Sequence, residues 1–273
     1  MQHAMGRALT TLALAFALIC CAAVSQARAV GLGGAPPSGW SFDVMPFYLW
    51  FPEITGDLTV RGQSDTLDVS IVEWGKALLE DARFAASGRV HARKDRLLFT
   101  LDVLGVSIDQ NQDFLVVLER DSEFTQVMVE FGVGYHLGNW LLDSQTGFAV
   151  AVDVVVGGRY QYINADVDLI TETLRLGFGQ SADWLEPIIG TMLNFSLSKR
   201  FGFFLGGNVA GFGIGSDLTW TITSILQFQL SRRITLFAGY RILDIDYAEG
   251  EIHDRFEYDV QMKGPGFGFN IHF

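Results

Sequence analysis

Cysteine is nearly absent from this chain: its two cysteines, Cys20 and Cys21, sit side by side near the start, and the sequence after them has none. No disulfide framework can therefore hold the body of the protein together, and pairing and packing must do so. Lysine is almost as scarce, at Lys76, Lys94, Lys199 and Lys263 only, and proline occurs six times in 273 residues. Long apolar runs are missing too. Hydrophobic residues make up 49% of the chain and the mean hydropathy is +0.26, yet past residue 24 no stretch approaches the roughly 18 apolar residues of a membrane-spanning helix. The apolar content is dispersed, which excludes a helical membrane protein and leaves strands as the way to use it. Positive charge is also in short supply, with 19 Lys and Arg against 31 Asp and Glu. That balance argues against nucleic acid as a partner.

The start of the chain reads as an export signal. Arg7 lies in a short polar opening, Ala8 to Val24 is apolar, and Ala27-Arg28-Ala29 has the small-x-small pattern of a cleavage site. Residues 1–29 are thus expected to be removed, leaving 17 basic and 31 acidic residues. A lipid anchor on Cys20 is the competing reading, but Ile19 stands before it where a small residue is needed. Residues 30–39, rich in Gly and Pro, read as a flexible lead, and 40–273 as one domain.

From Trp40 onward the dominant signal is alternation with a period of two, the mark of a strand with two unlike faces. Leu218, Trp220, Ile222, Leu226, Phe228 and Leu230 face one way while Asp217, Thr219, Thr221, Thr223, Gln227 and Gln229 face the other. The pattern recurs at Thr125–Leu137 and Phe148–Tyr162, and more weakly at Trp40–Phe51, Arg83–Arg93, Arg96–Asp109, Trp184–Leu197, Phe201–Phe212, Ile234–Tyr247 and Phe256–Phe273. The expectation is an all-β protein of about ten antiparallel strands, with eight or twelve open as alternatives because 57–70 and 167–176 could extend strands or form hairpins. An even count leaves both ends of the chain on one side, the periplasmic one. Tight polar turns at 94–95, 138–144, 198–200 and 231–233 alternate with longer outer connections at 52–81, 110–122, 164–183 and 248–255. Only 213–215 is a short outer connection. In the first long one, Ile71, Trp74, Leu78 and Leu79 have helical spacing, which predicts a short helix over Ile71–Ala82. It would pack on the barrel rim or act as a plug over the lumen.

Alternation alone does not tell a membrane barrel from a soluble one, in which the apolar face points inward. The polar face decides: it is mostly Gly, Ala, Ser, Thr, Asn and Gln, which suits a crowded lumen, not a solvated exterior. Trp40, Trp50, Tyr135, Tyr160, Tyr162, Trp184, Trp220 and Tyr240 lie towards strand ends, where amphipathic rings settle at a membrane boundary. In hydrocarbon an open sheet edge is too costly, so such a sheet must close. The last strand carries Phe267, Phe269, Ile271 and Phe273 at alternate positions and resembles the C-terminal strand that bacterial outer-membrane proteins present to their assembly machinery. Further segments, Phe47-Tyr48-Leu49-Trp50, Asp183-Trp184-Leu185-Glu186-Pro187, Gly211 to Trp220, Gly239 to Tyr247 and Gly264-Pro265-Gly266, extend this likeness over nearly the whole of 40–273. The chain resembles an uncharacterised bacterial outer-membrane β-barrel family, OmpA/OmpW-like in barrel architecture. The resemblance implies fold and location and brings no activity. The partners it implies are outer-membrane lipid and lipopolysaccharide and, during insertion, the barrel-assembly machinery; a monomer is expected.

If the apolar faces look at lipid, then Asp43, Arg89, His91, Asp102, Glu130, Asp153, Arg159, Glu186 and Arg241 look inward. Isolated ions in a narrow lumen are costly unless paired, so a mixed-sign network bridging strands is expected. Either it fills the barrel and fixes register, or it lines a narrow pore that sets ion preference. Barrels of this size have interiors that side chains nearly fill, so a wide diffusion pore is excluded. A lipid-modifying enzyme is the third reading, but none of His91, His136, His253 and His272 stands beside a serine in a telling pattern. The acidic run Asp244, Asp246, Glu249, Glu251 and Asp254 has no calcium-loop spacing, and the Gly-rich stretch 202–215 lacks the strand-turn-helix setting of a phosphate cradle. No cofactor and no metal is expected, and the readings in order are a structural or surface-interaction barrel, a narrow channel and an enzyme.

Overall fold

The computed structural model describes residues 39–110, 122–170 and 175–273. The leader expected at 1–29, the lead at 30–38 and parts of two outer connections lie outside the described residues. Thirteen strands form one antiparallel sheet: β1 (Trp40–Met45), β2 (Tyr48–Trp50), β3 (Glu53–Val60), β4 (Gln63–Val69), β5 (Ala82–Lys94), β6 (Leu97–Gln110), β7 (Ser122–Asp143), β8 (Phe148–Ile170), β9 (Arg175–Ser196), β10 (Phe201–Ile214), β11 (Ser216–Gln229), β12 (Ile234–Glu249) and β13 (Phe256–His272). One helix, α1 (Ile71–Glu80), lies between β4 and β5.

β1, β2 and β3 are successive pieces of a single strand, all paired with β13. Pro46 and Pro52 sit at the two breaks, where a residue without an N–H cannot continue the ladder. Counted this way, ten strands close into a ring: β5 to β13 pair in sequence, and the first strand joins β13 on one side (Asp43 opposite His272) and β5 on the other (Asp43 opposite His91). At Gly264 a Cβ would stand 2.0 Å from the Phe51 carbonyl oxygen, so only glycine lets β13 approach the first strand beside its second kink.

The ring is not uniform. β1 and β5 pair only as far as Met45 opposite Arg89. Beyond that point Ser87 splices the wall: its Oγ accepts a hydrogen bond from Tyr48 N at 2.9 Å and donates to the Tyr48 carbonyl. Further out, the gap between β3 and β5 is occupied by α1 and by β4, which folds back on β3. Ser70 caps α1 with a reciprocal capping box: its Oγ accepts from Glu73 N, and the Glu73 carboxylate accepts from Ser70 N at 2.8 Å. Trp74 and Ala77 are buried toward the lumen, whereas Val72 and Leu79 are exposed and Gly75 lies against Phe51 on the outer side. The helix is therefore a piece of wall, neither a rim ornament nor a plug, and Ile71 and Leu79 of the expected apolar stripe are not on its buried face.

The tight turns are built by hydroxyls and carboxylates acting on the backbone. Ser198 Oγ accepts from the amides of Arg200 and Phe201, and Ser231 Oγ repeats this with Arg233 and Ile234. The turn expected at 138–144 lies further on, because β7 continues through two irregularities to Asp143, which caps the turn by accepting from Gln145 N. This end of the barrel, with Trp40 and His272, is called proximal below; the end with α1 is distal.

The faces reverse polarity along the barrel. On β12 the outward residues run Ile234, Leu236, Ala238, Tyr240 and Ile242, then Asp244 and Asp246, while the inward ones run Thr235, Phe237, Gly239 and Arg241, then Leu243, Ile245 and Tyr247. On β13 Phe269, Phe267 and Pro265 give way outward to Lys263, Gln261, Asp259 and Glu257, as Met262, Val260, Tyr258 and Phe256 turn inward and are buried. The outward apolar segment of β12 is about nine residues, the length that crosses a bilayer when tilted. Around the ring Phe99, Phe131, Val133, Val156, Ile189, Phe201, Ile222, Leu226 and Phe267 form an exposed belt. A belt of this kind is stable only against hydrocarbon. Distal to it the wall meets water and its interior becomes an ordinary apolar core, so the barrel is of the membrane kind in one half and of the soluble kind in the other. Trp50 and Trp184 fall in the lumen and are buried, which corrects their expected place at the membrane boundary; Trp40, Trp140 and Tyr135 face outward at the proximal boundary.

Candidate functional site: the lumen network and its cavities

The nine charged residues expected in the lumen all project inward from their strands, because they share the face that opposes the lipid belt. The centre is Arg159 on β8, fully buried. Its Nη1 donates to Glu186 Oε1 at 3.1 Å, and its Nη2 lies 3.2 Å from Glu130 Oε1 and donates to Asn208 Oδ1 at 2.6 Å and to Thr221 Oγ1 at 3.1 Å. Glu186 has no exposed surface either; it also accepts from Thr219 Oγ1 at 3.1 Å and from Ser216 Oγ. Such a pair is tenable in a dry setting only because its remaining lone pairs and protons are nearly all used. Glu130 is shared, taking a second contact from Arg241 Nη2 at 3.1 Å.

Two smaller groups flank this centre. Arg89 donates through Nε to Asp102 at 2.9 Å, and Asp102 also accepts from Tyr48 Oη at 3.0 Å. Toward the proximal end Asp153 accepts from both terminal nitrogens of Arg93, at 2.9 and 2.8 Å, and bonds His136 Nδ1 at 2.9 Å. At the seam itself Asp43 bonds His272 Nδ1, and His272 Nε2 pairs with Thr235 Oγ1 at 2.7 Å. This acid, imidazole and hydroxyl chain has the order of a hydrolase triad. Thr235, however, is only 2% exposed and borders neither cavity described below, and the chain instead clasps β1, β13 and β12 where the ring closes. His253 lies exposed in the distal loop.

Arg93, His136, His272 and Tyr48 were not among the nine expected residues. Arg93 continues the two-residue spacing of Arg89 and His91, and His272 stands opposite Asp43 in register; the first signal was in the sequence, the second only in the pairing. The four aromatic and aliphatic positions Phe267, Phe269, Ile271 and Phe273 lie at the proximal end, on the outer face of the strand that closes the ring, with Phe267 and Phe269 exposed.

The distal lumen is shut. Trp184 and Tyr247 stack with ring centroids 3.8 Å apart and planes 9° from parallel, amid Ile163, Leu243, Ile245, Tyr258 and Trp74, all buried. Above them Arg61 N, in the turn from β3 to β4, donates to Gln180 Oε1 at 2.8 Å, and Gly62 N donates to the Arg255 carbonyl at 3.0 Å. The proximal half retains space: a cavity of about 70 Å³ between Arg89, His91 and Glu130 on one wall and Phe204, Thr223 and Arg241 on the other. A second space of about 40 Å³, sharing Arg89, Thr223 and Arg241, runs among Met45, Tyr48, Trp50, Ile225 and Phe237. Arg241 lies with its guanidinium carbon 5.2 Å from the centroid of the Trp50 ring, a cation–π distance. Its Nε and Nη1 are buried without a hydrogen-bond partner among the described residues, and each such orphan costs about 1–3 kcal/mol unless something fills it. The described residues contain no group of three or more His, Cys, Asp and Glu placed to hold a metal ion.

A closed antiparallel ring with an exposed apolar belt and ionic side chains inside defines an outer-membrane β-barrel. No protein-family model matches the chain and no curated protein matches it. Among solved structures it is similar to Neisserial surface protein A, at 14% identity over 86% of this chain and 98% of that one, with a TM-score of 0.32. It is similar also to Ail, the attachment invasion locus protein of Yersinia pestis, at 10% identity over 87% and 100%, TM-score 0.32. A Pseudomonas aeruginosa FadL homologue overlaps at 8% identity over 86% and 90%, TM-score 0.32. The superpositions are too loose to carry any of those proteins' roles to this chain.

Proposed function

We propose that this protein is a closed outer-membrane barrel that acts through its distal, cell-surface face and has a structural or surface-interaction role, with both chain termini in the periplasm. The closure of the distal lumen by the Trp184–Tyr247 stack carries this reading, since a conduit needs a continuous aqueous path and this one ends in an apolar core. The orientation is supported by charge: Lys94, Arg96, Lys199, Arg200, Arg232 and Arg233 cluster at the proximal turns, while Asp57, Asp244, Asp246, Asp254, Glu257 and Asp259 decorate the distal wall and loops. The chain invests its extra ordered structure, β3, β4, α1 and the 22- and 23-residue strands β7 to β9, beyond the lipid belt at that end.

Conductance in planar bilayers tests the reading. The refolded protein should give no discrete openings; steps that disappear on Arg159→Gln or Glu186→Gln would establish a narrow channel instead. Cysteines placed at Ile252 and at Ser231 test the orientation on intact cells: a membrane-impermeant maleimide should label the first and spare the second.

A further inference from the structure

We propose that the two neighbouring proximal turns, β9–β10 and β11–β12, form a binding site for an anionic phospholipid of the periplasmic leaflet, its phosphate on their cations and its acyl chains on the outer wall beside them. The leaflet rests on the periplasmic placement of these turns proposed above; the headgroup chemistry does not. The two turns are copies of one design. Leu197-Ser198-Lys199-Arg200-Phe201 and Leu230-Ser231-Arg232-Arg233-Ile234 share the order leucine, serine, cation, arginine, apolar residue. In each, the leucine and serine amides donate to the carbonyl of the fifth residue at 3.0–3.1 Å. The serine Oγ accepts from the amides of the fourth and fifth residues. The carbonyls of Arg200 and Arg233 accept in turn from Gln229 N and His272 N, both at 2.8 Å. These bonds fix the backbone of both tips, so a ligand there orders little besides side chains.

The cations on these tips are uncommitted. Lys199, Arg200, Arg232 and Arg233 are exposed and make no ion pair among the described residues. Neither 195–203 nor 228–236 contains an acidic residue, whereas the β5–β6 turn holds Asp95 between Lys94 and Arg96 and the β7–β8 turn begins at Asp143. Only two strands, β10 and β11, lie between the two turns, a separation of roughly 10 Å at the usual strand spacing, so long side chains from both can reach one headgroup. What borders the cations decides the occupant. The flanking Leu197, Phe201, Leu230 and Ile234 are 37–55% exposed, and Phe201 packs on Phe228 with ring centroids 5.1 Å apart, where the lipid belt begins. A soluble acidic macromolecule would meet the cations and leave this apolar wall uncovered; a zwitterionic lipid would cover the wall but bring a cation of its own. A phospholipid of net negative charge satisfies both, with phosphate oxygens on guanidinium groups and chains on the belt. Lipopolysaccharide phosphates belong to the other leaflet, where Asp244, Asp246 and Asp259 line the distal wall and repel them.

Native mass spectrometry tests this on protein refolded in a non-ionic detergent containing equal amounts of dioleoyl phosphatidylglycerol and dioleoyl phosphatidylcholine. Phosphatidylglycerol should be retained about fivefold or more over phosphatidylcholine, the effect of a single cation beside an anionic surface being about that size. Combining Lys199→Gln, Arg200→Gln, Arg232→Gln and Arg233→Gln should bring the ratio close to one, while the unheated protein keeps its gel mobility. If that variant does not fold, each pair of substitutions alone should lower the ratio about twofold or more. Arg255→Gln with Lys263→Gln, at the distal end, should leave it unchanged. A ratio near one in the unaltered protein would overturn the headgroup chemistry whichever way the barrel faces, and a ratio that survives all four substitutions would place the lipid elsewhere on the belt. Glycerol phosphate retained as strongly as phosphatidylglycerol would overturn the apolar half of the site. A preserved ratio together with labelling of Ser231→Cys on intact cells by the impermeant maleimide would overturn the leaflet alone.

Discussion

Trp184 on β9 and Tyr247 on β12 stack face to face although two strands separate them in the sheet. They meet because β10 and β11 turn back at the short hairpin around Gly215, whose position packs against the Leu185 backbone and the Trp184 ring. The notch left above that hairpin is filled by the two rings. Trp184→Ala should therefore remove a seal as well as a core side chain, lowering unfolding stability by about 3–5 kcal/mol. Urea titration followed by gel mobility of unheated samples measures it; a loss below 1 kcal/mol would mean the stack closes nothing.

Arg159 and Glu186 test the network. Removing one partner of a fully buried pair strands the other, at a cost of about 3–5 kcal/mol, whereas replacing both by apolar groups of similar size is often neutral. Arg159→Met and Glu186→Met should each be strongly destabilising, and the double variant should recover most of the loss. Additive losses in that double-mutant cycle would show that the pair is not the unit described here.

Gly264→Ala should disturb ring closure more than its small volume suggests. The new Cβ would meet the Phe51 carbonyl at 2.0 Å, backbone against backbone, so the seam must part. Unheated protein should lose its compact gel mobility, while Gly147→Ala, where nothing lies within 4 Å although φ is +75°, should cost only turn strain and leave the ring closed.

Glu73 gives a pH dependence. Hydrogen bonds from Ser70 hold its carboxyl below the ordinary glutamate value of 4.5. A carboxylate whose folded value is depressed contributes stability that is complete above its unfolded value and disappears as pH falls through the folded one. The Ser70 amide resonance should thus titrate with a midpoint below 4.5, and Glu73→Gln should flatten the curve. A midpoint at or above the ordinary value would remove the capping box from the account.

The strands within lipid were legible because one face there is apolar at nearly every position, Ser224 between Ile222 and Leu226 being an exception. β12, expected at Ile234–Tyr247, runs to Glu249. The distal extensions were hidden for a physical reason. On β8, expected to end at Tyr162, Asn164 points out while Ile163 and Ala165 point in, so the alternation continues with its sign reversed and reads as loop. The same reversal concealed β3 and β4. In the lumen, charge type and strand parity placed nine residues on the inner face, but Asp43 with His272, 229 residues apart, could be joined only by knowing which strands close the ring.

The reversal of polarity at the level of Ile242 and Pro265 also acts as a draught mark. Pushing the molecule two residues deeper would carry Asp244 and Lys263 into hydrocarbon, and lifting it by the same amount would strand the rings of Phe201 and Phe269 in water at the other side. The height at which this barrel floats is thus written into its own walls, and the latched top formed by Arg61, Gln180 and Arg255 is held at a fixed elevation above the surface it overlooks.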